Sequence, residues 1–117
     1  MAVYKKRFDK IRFEEIKNYI NSNLENELNV SLLSEQFGCS NSTFKRLFYY
    51  TFKQNIRNYI LDCRMKKAIQ LINEQTTTIN IIAFEVGYKN RSSFTHAFSH
   101  YFGYPPTCLE PKNEKVV

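Results

Sequence analysis

The sequence has no tryptophan, and its 117 residues include only three glycines and three prolines. Folds made of strands and tight hairpins use these turn formers freely, and no stretch here alternates apolar and polar residues for more than a few positions. The chain therefore reads as all-α. Cysteine is as sparse: Cys39, Cys63 and Cys108 are odd in number, widely separated and without a C-x-x-C pair. That excludes a disulfide framework and a zinc knuckle, and it makes a reducing cytoplasm the expected compartment. No apolar run approaches the ~18 residues of a membrane span, and the basic N-terminal residues lack the apolar segment of a signal peptide. The expectation is a soluble, unexported protein that does not enter a membrane. Acids are the minority charge, 11 Asp and Glu against 17 Lys and Arg, and the resulting +6 favours a polyanionic partner.

Catalytic constellations are missing too. No nucleophile elbow, phosphate loop or pair of catalytic carboxylates is recognisable, and 117 residues make one ordinary domain or two small ones sharing a core. An enzyme is not expected, nor a cofactor, nor a small-molecule effector site. His96 and His100 stand four apart, but they lack a third ligand and a Glu-x-x-His partner, so metal binding is not expected either. None of the cysteines has an activating base nearby, which leaves them to packing and turns.

What the chain has in quantity is phenylalanine, tyrosine and base. Ten Phe and eight Tyr take the place of the absent Trp in building a core, one large enough to bury about 65% of the unfolded surface. The bases are unevenly spread. Residues 13–36 carry Glu14, Glu15, Glu25, Glu27 and Glu35 against Lys17 alone, whereas residues 45–67 carry seven bases against Asp62 alone. One part of the molecule is selectively positive.

Periodicity places the helices. After a loose basic lead-in over residues 1–10, a helix from about Asp9 to Leu24 buries Phe13, Ile16, Ile20 and Leu24, spaced by three and four. Asn29 stands as an N-cap, with Leu28 and Leu33 placed as a hydrophobic staple, and a short helix of about Val30–Phe37 follows. Gly38 supplies the left-handed residue that ends it, and Ser40 caps the next helix, giving helix, tight turn, helix by Phe52. From about Ile56 to Asn73 apolar residues spread over more than half of the helical wheel, as they would on a connector packed from two sides. Thr78 caps a helix of about Ile79–Val86, Gly87 ends it, and Asn90 caps a last helix of about Arg91–Phe102. The expected organisation is a lead-in (1–10), a first helix-turn-helix subdomain (11–55), a connector helix (56–75), a second subdomain (76–110) and a tail (111–117).

The second unit echoes the first. Val30, Leu33, Ser34, Phe37 and Gly38 recur 49 positions on as Ile79, Ile82, Ala83, Val86 and Gly87; Phe44, Leu47, Phe48 and Phe52 recur 50 positions on as Phe94, Ala97, Phe98 and Phe102. The change of offset makes the second turn one residue longer. Any two amphipathic helices joined through glycine share apolar spacing. The small residue, turn glycine and downstream aromatics together meet the demands of two helices crossing closely at a short turn.

At about 100° per residue, Phe44, Leu47, Phe48 and Thr51 fall on one side of the third helix and Ser42, Lys45, Arg46, Tyr49 and Lys53 on the other. A polar, cationic and aromatic face suits the major groove, where Arg is bidentate to guanine and Lys reaches guanine or phosphate. Most surface helices carry Lys and Arg merely as a solvated face; the helix-turn-helix setting and the basic flank favour DNA. The matching face of the last helix is Ser92, Thr95, His96 and Ser99, with Arg91 and Ser93 at its entrance, polar but weakly charged. Arg91 and His96 can reach bases or phosphates, and the hydroxyls can reach phosphates or a thymine methyl. The competing reading is a helical protein-interaction module using the aromatic surface around Tyr49, Tyr50 and Tyr59.

The run Ile82-Ala83-Phe84-Glu85-Val86-Gly87-Tyr88, then Ser93 to Phe98 and Phe102-Gly103-Tyr104-Pro105-Pro106, resembles the signature of the AraC/XylS family of bacterial transcription regulators. Arg64-Met65-x-x-Ala68-x-x-Leu71-Ile72 resembles that family's connector helix, and the likeness covers roughly residues 13–106. The resemblance implies two helix-turn-helix subdomains on a rigid helix, with recognition helices entering successive major-groove segments of double-stranded DNA. It implies base-reading roles for Ser42, Lys45 and Arg46 and for Arg91, Ser92, Ser93, Thr95 and His96, and activation through contact with RNA polymerase. The chain departs from the family pattern in four places. Lys53 replaces a usual Gly, Tyr49 a common Lys, Ser99 and His100 often basic residues, and Leu109-Glu110 a usual Tyr-Arg pair.

Overall fold

The computed structural model describes residues 13–109, which hold six α-helices, a closing 3₁₀ turn and no strand. In chain order these are α1 (Phe13–Ser22), α2 (Val30–Gln36), α3 (Asn41–Phe52), α4 (Ile56–Glu74), α5 (Ile79–Glu85), α6 (Arg91–Phe102) and the 3₁₀ turn Pro106–Leu109. The expected lead-in, the start of the first helix at Asp9 and the C-terminal tail lie outside the described residues. The described chain falls into two compact units, one ending at Cys63 and the other beginning at Arg64, so the division lies inside α4.

In the first unit, α1 buries Ile16 and Ile20 as its spacing predicts but leaves Phe13 half-buried, and it stops at Ser22 rather than Leu24. The backbone there tightens into successive turns, Asn23 N–H donating to the Ile20 carbonyl at 3.1 Å and Asn26 N–H to that of Asn23 at 2.9 Å. The Asn23 side-chain amide donates to the Tyr19 carbonyl at 2.8 Å, so the asparagine satisfies an orphan carbonyl of the helix end. Leu24 remains buried in this turn.

All four N-caps read from the sequence form. The side chains of Asn29, Ser40, Thr78 and Asn90 accept from the backbone N–H groups of Leu32, Thr43, Ile81 and Ser93 at 2.9, 3.2, 3.3 and 2.8 Å. A fifth cap joins them: Asn55 accepts from Asn58 N–H at 2.8 Å and so starts α4. Both glycine turns close in the same way. Cys39 N–H donates to the Ser34 carbonyl at 2.9 Å and Gly38 N–H to that of Glu35 at 3.3 Å; Tyr88 and Gly87 repeat the pair onto Ala83 and Phe84 at 2.8 and 3.0 Å. This double closure is the Schellman motif and needs a left-handed residue, here Gly38 at φ 72° and Gly87 at φ 102°. Residues 37–40 separate α2 from α3 and residues 86–90 separate α5 from α6, so the second turn is longer by one, as the offset change requires.

Each unit is filled by an aromatic ladder on its third helix. In the first, Phe44, Phe48 and Phe52 follow one another at centroid distances of 5.9 and 4.1 Å, extended by Phe37 and Phe13 and flanked by Tyr59. In the second, Phe94, Phe98 and Phe102 follow at 5.7 and 4.6 Å, with Tyr88 at one end and Tyr104 beside the other. A period of four puts three rings on one side of a helix, and the tilted and offset pairs among them add to plain burial. Ile56 and Ile60 of α4 close the first core, with Tyr59 and Cys63 packed at its edge. Met65, Ala68 and Ile72, on the far half of α4, are buried in the second unit. Burial pushes the Tyr59 phenol up to about 12, with Cys63 and Glu14 adding to the shift, so the ring packs as a neutral group.

Candidate nucleic-acid interface

α3 packs through Phe44, Leu47 and Phe48, all buried, which leaves its opposite side to solvent. Ser42, Lys45, Arg46 and Tyr49 are exposed there, Tyr49 by 59%. The helix contains no acidic residue, so neither cation is neutralised from its own helix. The acids among this unit's described residues lie on other elements: Glu14 and Glu15 open α1, Glu25 and Glu27 lie between α1 and α2, Glu35 sits on α2 and Asp62 on α4.

Lys53 does not lie on the helix face that the wheel assigns it. The wheel continued the helix through it, but α3 ends at Phe52 and Lys53 takes the left-handed conformation, φ 63° and ψ 20°, its N–H donating to the Tyr49 carbonyl at 2.9 Å. It occupies the terminating position that Gly103 takes in the second unit, where φ is 88° and the N–H bonds to Ser99. Its ammonium stands 5.1 Å from the centroid of the Tyr50 ring, itself 47% exposed. Lys53 is thus a cation beyond the end of α3, held by an aromatic face, rather than a member of the helix face.

In the second unit α6 buries Phe94 and Phe98 and exposes Arg91, Ser92, Ser93 and His96; Thr95 is half-buried. This helix too has no acid, but Arg91 is its only permanent cation. Behind it, the half-buried Arg64 guanidinium lies 5.9 Å from the centroid of the Tyr88 ring. Burial lowers the Arg64 pKa while Tyr88 opposes the shift, and burial raises that of Tyr88 while Arg64 opposes it. The pair ties the α5–α6 turn to α4 through a contact that sequence spacing does not reveal.

Among the described residues no group of three or more His, Cys, Asp or Glu side chains could hold a metal, and no helix is long and apolar enough to cross a membrane. Cys39 and Cys63 are half-buried and Cys108 is exposed, all three as free thiols.

A helix-turn-helix domain family model matches residues 33–110, two thirds of the chain, spanning both glycine turns and both exposed faces. The chain belongs to the AraC/XylS family of transcription regulators. It is 29% identical over 98 residues to the multiple antibiotic resistance protein MarA of Escherichia coli, covering 84% of this chain and 77% of MarA. Identity to the Msm operon regulatory protein of Streptococcus mutans is also 29%, over 93 residues and 80% of this chain, but the chain spans only 34% of that relative's length. The DNA-binding domain of AdpA, a global transcriptional factor solved in complex with a target DNA, shares the fold with a TM-score of 0.75 at 18% identity, covering 81% of this chain and 86% of that one. The all-α expectation and the family assignment hold, and the chain is a DNA-binding transcription regulator rather than an enzyme.

Proposed function

We propose that this chain reads double-stranded DNA sequence-specifically with two helices, α3 and α6, each entering a major-groove segment and the two segments following one another. The observation that carries the reading is the exposed, acid-free cationic face of α3, Ser42, Lys45, Arg46 and Tyr49, opposite a fully aromatic and aliphatic buried face. Arg46 and Lys45 contact guanine or phosphate, and Tyr49 offers a ring to a thymine methyl. On α6, Arg91, Ser92, Ser93, Thr95 and His96 supply one permanent charge and several neutral donors. The reading heads are residues 11–55 and 76–110, joined by the helix over 56–75. The protein works in the cytoplasm at the nucleoid.

Selection of bound duplexes from a random pool tests this reading. A recovered motif two helical turns long, with half-sites about 10–10.5 base pairs apart, is the expected result. A one-turn motif would mean that one unit alone reads bases, and recovery of no motif would favour the protein-interaction alternative.

Lys53 gives a prediction with opposite signs in two assays. Lys53→Gly relieves a left-handed residue and should raise the melting temperature slightly, since a non-glycine residue in this region costs on the order of 1 kcal/mol, partly offset by glycine's greater unfolded-state freedom. The same change removes a cation from the end of the recognition helix and should weaken DNA binding at low salt. Thermal melting and gel shift on one preparation check both; weaker melting would mean that the Tyr50 contact outweighs the backbone strain.

Activation through RNA polymerase belongs to the same proposal. The support for a protein-facing surface is on α5, where Ile81 and Phe84 are 46% and 60% exposed, one turn apart and beside Glu85. Ile81→Ser with Phe84→Ala should leave duplex affinity unchanged and lower transcription from a promoter carrying the selected site. Unchanged transcription would remove this surface from the account.

A further inference from the structure

The polar groups at the first glycine turn are arranged as a strap between α2 and α3. Ser34 is the one polar residue among the buried described residues, 3% exposed at the point where the two helices cross. Its hydroxyl lies 2.6 Å from the Asn41 Oδ1 and 3.2 Å from the Ser31 carbonyl. One proton serves both, and the shorter distance assigns it chiefly to Asn41. The Asn41 Nδ2 in turn donates to the Ser31 Oγ at 3.3 Å. Asn41 is the first residue of α3, the recognition helix, and both ends of its amide are engaged by α2. Its side chain is therefore turned back into the protein, although the residue is exposed.

The second unit has none of these side chains. At the corresponding offsets Ser31, Ser34 and Asn41 become Asn80, Ala83 and Arg91; Ala83 is fully buried and Arg91 exposed. The two units thus share turn glycine, caps and aromatic ladder and differ in what holds the recognition helix at its entrance. Apolar packing tolerates small rotations of one helix on another, whereas hydrogen bonds at both ends of a planar amide fix direction as well as distance.

We propose that Asn41 is a positioning residue. Through Ser34 and Ser31 it sets the angle of α3 on α2, and so the aim of Arg46 and Lys45, making the first unit the more discriminating of the two. The inference rests on the reading of α3 as a DNA-contacting helix. Base-edge contacts need geometry held within a fraction of an ångström, while phosphate attraction falls off slowly with distance. Loosening the strap should therefore cost discrimination and spare non-specific affinity.

The experiment uses the full chain, a selected duplex and a random duplex of equal length, each at two salt concentrations, with Ser34→Ala, Asn41→Ala and the double variant. Ser34→Ala installs the residue the second unit already uses, and the amide it releases is solvent-accessible, so the fold should persist; thermal melting of each variant verifies this. The expected result is a fall in the specific-to-random ratio of roughly 3- to 10-fold for either single variant, the size of one to two net hydrogen bonds. Random-duplex affinity and salt slope should stay at wild-type values, and the double variant should fall no further than the singles. Wild-type discrimination in Ser34→Ala, or an equal loss on both duplexes, would overturn the proposal. So would fully additive losses, because they would mean that Asn41 contacts DNA on its own account. If the wild-type chain itself shows no preference between the duplexes, the proposed DNA reading fails instead, and the two failures are separate.

Discussion

Replacing Arg46 by alanine should weaken binding to the preferred duplex by about 1–3 kcal/mol, roughly 5- to 150-fold, and relax selectivity at one base pair. Arg46 projects from α3 on the side opposite Phe44, Leu47 and Phe48, so truncation removes a guanidinium without opening the core. Lys45→Ala is distinguished by salt. If Lys45 holds a phosphate, the slope of log affinity against log salt should fall by about 1 with little change in selectivity; if it reads guanine, selectivity changes as well. His96→Ala and Thr95→Ala on α6 should do less, because neither removes a permanent charge. Gel shifts on the selected duplex and one mismatched duplex, at several salt concentrations, check the series. Wild-type binding by both Lys45→Ala and Arg46→Ala would remove the cationic face of α3 from the account.

The parts of the fold that were legible in the sequence are those governed by chemistry within a few residues. Asn29, Ser40, Thr78 and Asn90 cap the helices that follow them, because an N-cap satisfies a backbone donor three residues away and needs nothing from the rest of the chain. Gly38 and Gly87 end helices for the same local reason. The aromatic ladders were visible as a spacing of four repeated 50 positions on. Lys53 was misplaced because a wheel extrapolates a helix past its end, and a lysine in the left-handed region gives no signal of its own; the glycine at the matching position, Gly103, was the available hint. Asn55 was legible too, since a residue of capping type stands there directly before an apolar run. The Ser34–Asn41 bond and the Arg64–Tyr88 contact were out of reach in a different way: each joins side chains 7 and 24 positions apart through tertiary geometry. The exposed side of α3 was readable as the complement of its buried stripe; Lys53 falls outside it because the helix ends at Phe52, and Thr95 on α6 is half-buried where the wheel exposes it.

The largest expected effect on stability comes from Phe48→Ala. Phe48 is fully buried, and its ring lies 5.9 Å from Phe44, 4.1 Å from Phe52 and 5.6 Å from Tyr59, so it joins α3 to the start of α4 at the centre of the first core. Truncation removes the transfer free energy of the ring and leaves a cavity that three aromatic neighbours cannot readily fill; such changes cost about 3–5 kcal/mol. A domain's whole stability is on the order of 5–15 kcal/mol, so the variant should lie near the limit of folding at growth temperature. Urea unfolding followed by far-ultraviolet circular dichroism should show a lowered midpoint, and Phe48→Leu, which fills part of the space, should lose less. A midpoint shift equivalent to under about 1 kcal/mol would contradict the central place given to this ring. The exposed face offers the matching contrast. Lys45 and Arg46 directly precede Leu47 and Phe48 in sequence, yet their removal should leave the unfolding midpoint nearly unchanged, surface changes being within about 0.5 kcal/mol. A helix on which adjacent residues separate cleanly into stability and DNA affinity is what a recognition helix requires, since the groove-facing side can vary without touching the packing that holds it in place.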